Sequence, residues 1–98
     1  MDSKAQKQWQ FRKNMMLNAT LNISDANEIL FVLQDSNLHV TRGSLLIPKN
    51  WFEGGNNVEI DTYIDKRYHF DVSYSNNIIT LYYITEGDFV DLLTVYTR

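Results

Sequence analysis

Between Val58 and Tyr96, apolar and polar residues alternate in four consecutive runs. Tyr68, Phe70, Val72 and Tyr74 recur at every second position, as do Ile79, Leu81 and Tyr83 beyond Ser75-Asn76-Asn77. A period of two marks a half-buried strand, because successive side chains leave a strand on opposite faces. Asn tolerates positive φ, so Asn76-Asn77 suits a two-residue hairpin turn. That turn pairs Tyr74 with Ile79, Val72 with Leu81 and Phe70 with Tyr83, all on one face. A slip of one residue would send each apolar side chain to the other face, so the pattern specifies its own register.

The flanking runs extend the same scheme. A loop at Asp65-Lys66-Arg67 pairs Ile64 with Tyr68, Thr62 with Phe70, Ile60 with Val72 and Val58 with Tyr74. A loop at Gly87-Asp88 sets Tyr83 opposite Leu92 and Leu81 opposite Thr94. The expectation is an antiparallel meander over about 58–96. Its opposite face then reads Glu59–Ser73–Thr80–Val95, Asp61–Asp71–Tyr82–Leu93 and Tyr63–His69–Ile84–Asp91 across the strands. A solvated face is polar throughout, whereas this one turns apolar toward the last strand. Tyr82, Ile84, Leu93 and Val95 are therefore expected to be covered, by the first half of the chain or by another subunit.

The first half is less regular. Residues 1–14 carry Lys4, Lys7, Arg12 and Lys13 against Asp2 alone. Ser3 followed by Gln6 can open a short helix, with Ala5, Trp9, Arg12 and Met16 on one stripe. The series Trp9, Phe11, Met15, Leu17, Ala19, Leu21, Ile23 also fits a strand. The preferred reading is a helical or irregular arm over 3–13 and a strand over 15–23. Ala26, Ile29, Leu30 and Leu33 have helical spacing, but the run Ile29–Leu33 is rich in strand formers and reads as a strand. A turn at 34–37, strands at 38–41 and 45–47, and a long loop at 48–57 follow. The fold class is mainly β: one domain over 1–98, a small sandwich or barrel, with an N-terminal arm (1–14) and a β-rich body (15–98). The alternative is α+β.

Composition narrows the function. Ninety-eight residues make one domain, and the net charge of −3 argues against a general nucleic-acid binder. There is no cysteine, so neither disulfides nor thiol chemistry is available. No apolar run approaches the length of a membrane-spanning helix. The start Met1-Asp2-Ser3-Lys4 lacks the apolar core of a secretory leader, so cytosolic synthesis is expected. In composition alone, a cysteine-free domain rich in Asn and Tyr resembles small virion or tail components.

Candidate chemistry is sparse. Trp51 and Phe52 adjoin Glu53, Asn56 and Asn57 in the loop 48–57, and aromatics beside amides and acids can stack on a sugar ring or anchor a partner. The competing reading has Trp51 plugging one end of the core. Trp9 and Phe11 on the arm, with Tyr82, Ile84, Leu93 and Val95, form the candidate interface. Glu59, Asp61 and Asp71 share a face, but no loop with metal-ligand spacing supports a metal site. His39 and His69 are too few for a zinc site without cysteine. His69, Asp71 and Ser73 do not make a triad, since alternate strand residues stand roughly 7 Å apart. The expectation is a non-enzymatic interaction or assembly module without cofactor, homo-oligomeric, with a protein partner or itself. A carbohydrate-binding module using Trp51 and Phe52 is the alternative.

Overall fold

The computed structural model describes residues 8–35, 40–55, 57–63, 67–84 and 91–98. The chain forms β1 (Gln10–Met15), β2 (Thr20–Asn22), β3 (Glu28–Asp35), β4 (Val40–Pro48), α1 (Lys49–Glu53), β5 (Val58–Tyr63), β6 (Arg67–Ser75), β7 (Ile78–Ile84) and β8 (Asp91–Thr97). Two four-stranded antiparallel sheets result, ordered β1-β8-β3-β4 and β2-β7-β6-β5. They pack face to face as a sandwich, so the mainly β expectation holds. β1 pairs with β8 in the first sheet and β2 with β7 in the second. The first and last strands thus run side by side in the first sheet.

The core follows from the alternation. Ile29, Phe31, Leu33, Leu93, Val95 and Met15 point inward from the first sheet; Val58, Phe70, Val72, Ile79 and Leu81 do so from the second. Full burial of side chains this size stabilises by about 1.5–3 kcal/mol each before chain entropy is counted. Phe52 closes one end. Its ring stacks on Tyr74 of the second sheet at 5.5 Å and meets Phe31 of the first edge-on at 6.3 Å. The single helical turn α1 makes this possible. Pro48 enters it extended, Gly54 ends it, and Gly55 leaves at φ +87°, where a side chain would be strained.

The hairpin at Asn76-Asn77 has the expected geometry. Both residues take positive φ (52° and 67°), and Tyr74 pairs with Ile79 and Val72 with Leu81. Beyond Leu81 the register shifts. Tyr82 is the extra residue of a bulge, so Asp71 faces Tyr83 and Phe70 faces Ile84 rather than Tyr83. β5 sits two residues from its expected position, pairing Val58 with Val72, Ile60 with Phe70 and Thr62 with Tyr68. A shift of two preserves every face.

The fourth strand corrects the meander. β8 does not continue from β7; it inserts between β1 and β3 in the other sheet, with Leu93 opposite Leu33 and Val95 opposite Phe31. The meander therefore covers β5–β6–β7 only. The arm is corrected as well: residues 10–13 are strand, part of β1, kinked by a bulge between Phe11 and Lys13. The 25–34 segment is a strand from Glu28 onward, as preferred. The strand expected over 15–23 breaks at 16–19, where Asn18 takes φ 67°, so the chain can pass from one sheet to the other. Gln34 and Asp35, expected in a turn, are the end of β3; residues 1–7 of the arm, 36–37 of that turn, 38–39 of the strand expected after it, Asn56 and both remaining expected turns (65–67 in part, 86–88) lie outside the described residues.

Candidate functional site

The outer face of the first sheet is built by one row. Leu30 is flanked in β3 by the fully buried Ile29 and Phe31, so it points away from the core. The register sets Leu30 between Leu46 of β4 and Tyr96 of β8, and Tyr96 next to Phe11 of β1. The Phe11 and Tyr96 rings meet edge-on at 5.9 Å. Phe11–Tyr96–Leu30–Leu46 thus crosses all four strands, and its ends stand 56% and 45% exposed.

Two polar rows border it. On one side Arg98 lies over the Trp9 ring at 4.2 Å and its Nε donates to Glu28 Oε1 at 2.8 Å. On the other, Thr94 Oγ1 is within hydrogen-bond distance of the Asn14 amide (2.8 Å) and the Gln34 amide (3.3 Å), beside Val32. Thr94 and Val32 are nearly closed to water although they face outward.

The outer face of the second sheet has different chemistry. Glu59 of β5 is opposite Asp71 of β6, which is opposite Tyr83 of β7, and Asp61 is opposite His69. The donor atoms of Glu59, His69 and Asp71 all lie within 4.8 Å of one another. His69 Nε2 is 2.7 Å from Asp71 Oδ1, and the Tyr83 ring meets the imidazole edge-on at 5.6 Å. That oxygen is buried, and the approach of the imidazole is not aligned as a hydrogen bond.

The polar end of the sandwich beside α1 is a third candidate. A cleft of about 420 Å³ is lined by Asp25, Asn27, Lys49, Asn50 and Glu53 among others. Asp25 is held by Arg12, whose Nη1 donates to its Oδ1 at 3.0 Å and to Thr97 Oγ1 at 3.0 Å. The Arg12 hydrogen bond keeps the Asp25 carboxyl below its usual range. Lys49 donates to the Ser24 carbonyl at 3.2 Å and lies 3.7 Å from Glu53.

The structure separates the residues singled out from the sequence. Trp51 is 53% exposed on α1, whereas Phe52 beside it is a core plug and is no ligand-binding surface. Glu53 and Asn57 are exposed; Asn56 lies outside the described residues. Trp9 and Phe11 belong to the first sheet's outer side, and Tyr82 is exposed on the second. Ile84 is half-buried against the core and does not belong to the outward surface, because the bulge at Tyr82 turns it inward opposite Phe70. Leu93 and Val95 face inward at 0% exposure, because β8 changed sheets, so they do not belong to an outward surface. Asp61 opposes His69, not Asp71; the two-residue shift of β5 puts Glu59 there instead.

Sequence reasoning missed Leu30, Leu46 and Tyr96 as a surface. A signal was present: Ile29–Leu33 is apolar at every position, and a strand of that kind has both faces covered. It also missed that the His69 imidazole reaches Asp71 two positions along β6, because the roughly 7 Å strand spacing separates backbones and not the ends of the side chains, and that Glu59 joins them, which depends on the register of β5. No family model matches this chain, and neither a curated protein nor a solved structure matches it.

Proposed function

We propose that this protein is a non-enzymatic interaction module that assembles with a second copy of itself through the outer face of its first sheet. The supporting observation is the row Phe11–Tyr96–Leu30–Leu46, apolar across four strands and part of a face whose central strand is apolar on both sides. The charges bordering the row, Arg98 and Glu28, are of opposite sign and paired with each other. A face neutral in this way does not repel its own copy, and a twofold contact uses the same patch twice. Assembly of this kind suits a small structural or accessory component.

The test is mass in solution. Light scattering behind size exclusion at tens of micromolar should give a multiple of the chain mass, and Leu46→Lys should reduce it to one chain. An intact protein that runs as a single chain defeats the reading.

Carbohydrate binding is a second reading, favoured by one observation. Trp51 is exposed on the same helical turn as Asn50 and Glu53, which line the polar cleft. An aromatic face beside amide and acid groups suits a polyol ring. Quenching of tryptophan fluorescence by a soluble oligosaccharide, lost in Trp51→Ala, would support it; unchanged fluorescence across a glycan panel would remove it.

A further inference from the structure

The second sheet's outer face holds a set of side chains that self-association does not use. Glu59 and Asp71 stand directly opposite on adjacent strands, an arrangement that destabilises a sheet when both are carboxylates. The imidazole of His69 stands against Asp71, and the register brings Asp61 opposite His69.

We propose that Glu59, His69 and Asp71 form a binding site for a divalent transition-metal ion of the zinc class. Three features support it. The first is ligand chemistry: one imidazole with two carboxylates is a mixed nitrogen–oxygen set suited to zinc, manganese or cobalt more than to calcium. Three protein ligands leave room for water or an outside donor in the fourth position.

The second is geometry. Donors around a tetrahedral ion with bonds near 2.1 Å stand about 3.5 Å apart. The three donor atoms here lie within 4.8 Å, and His69 Nε2 and Asp71 Oδ1, 2.7 Å apart without an ion between them, need only side-chain rotation to open to that spacing. Glu59 is exposed and its long side chain supplies the remaining adjustment. His69 and Asp71 are held on β6 within a sheet, at 12% and 15% side-chain exposure, and Tyr83 fixes the imidazole from the side.

The third is the state of Asp71 Oδ1. It is a buried oxygen approached by His69 Nε2 at 2.7 Å but accepting no aligned hydrogen bond from it. Such an atom costs stability unless something answers it. A cation bound between Asp71, Glu59 and His69 answers it, and it removes the repulsion between the two opposed carboxylates. A bound ion also joins β5, an edge strand, to β6 through side chains as well as backbone.

The experiment uses the full chain after treatment with a chelator. Zn²⁺ is titrated by calorimetry, and Co²⁺ is followed by its visible absorption, which reports nitrogen–oxygen ligation directly. The expected result is saturable binding of one ion per chain, with a melting temperature that rises with Zn²⁺ as binding to the folded state requires. Glu59→Gln should weaken binding at least tenfold and His69→Gln should abolish the Co²⁺ spectrum. His39→Gln should change neither. Glu59 is exposed, so its variant keeps the fold, and circular dichroism checks both. Absence of saturable binding by the intact chain overturns the proposal. So does binding of undiminished affinity in a folded Glu59→Gln or His69→Gln protein. Leu46→Lys, which tests self-association, leaves this site untouched, so the two readings fail separately.

Discussion

At the scale of single residues, the sharpest contrast is between neighbours. Trp51 and Phe52 have the same composition and context in the sequence, yet one is exposed and the other is sealed between the sheets. Adjacent residues on a helical turn point about 100° apart, and the one-turn α1 decides which of them enters the core. The sequence marks an aromatic pair in a Gly/Asn-rich stretch; it does not contain the orientation of a five-residue helix. Phe52→Ala should cost about 3–5 kcal/mol, because it leaves a cavity against Phe31 and Tyr74. Trp51→Ala should stay within about 0.5 kcal/mol, as for a surface change. Urea denaturation of the two variants measures both; equal losses would mean that Trp51 is packed as firmly as Phe52. Asp25 belongs to this scale too. Its folded pKa is lowered by Arg12, so its ion pair supports the fold above the usual carboxylate range and is lost as pH falls through the lowered value. The group is solvated, and Asp25→Asn should flatten only the acid side of the stability curve, less so in high salt.

At the scale of elements, the β6–β7 turn and its nearest pairs were legible and the placement of β8 was not, for a physical reason. A period of two determines which face a residue occupies, and turn chemistry determines the nearest partner. Asn76 and Asn77 both sit in left-handed backbone, and the Tyr74 hydroxyl donates to Asn77 Oδ1 at 3.3 Å, so the turn carries its own signature. Leu93 and Val95 alternate correctly for an inward face of either sheet, and nothing in their spacing says which. The two-residue offset of β5 escapes because it leaves the inward set intact, whereas the bulge at Tyr82 carries no turn signature and exchanges the faces of Tyr83 and Ile84. The metal-ligand grouping escaped with them, since Glu59 meets Asp71 only in the observed register. The hairpin gives a clean test. Asn77→Gly should hold or raise the melting temperature, because glycine tolerates positive φ freely. Asn77→Val should lower stability by about 1–2 kcal/mol, the cost of left-handed backbone for a side chain with a branched β-carbon. A neutral Val variant would mean that the turn is not held in this conformation.

At the scale of the whole molecule, the two outer faces carry opposite chemistry: an apolar row on the first sheet, acids with an imidazole on the second. The N-terminal strand connects the first of these to the fold itself. β1 is an edge strand on β8, and Arg12 ties it to Asp25, to Thr97 and, through Nη2 at 3.0 Å, to the Asn22 carbonyl. Met15 at its end is core. Deleting the arm is therefore a poor probe of assembly, since it strips β8 of a partner and bares backbone groups that pair with other chains. Leu46 lies at the opposite edge, on β4, half exposed and paired with Leu30 of the apolar row. If two copies meet on this face, the folded state is stabilised by mass action and its melting temperature climbs with protein concentration. Leu46→Lys should abolish that dependence while leaving the melting temperature at low concentration nearly unchanged, because an exposed leucine contributes little to its own core. Differential scanning calorimetry over a hundredfold concentration range reads both quantities at once. A melting temperature of the intact protein that ignores concentration would assign the apolar row to some partner other than itself.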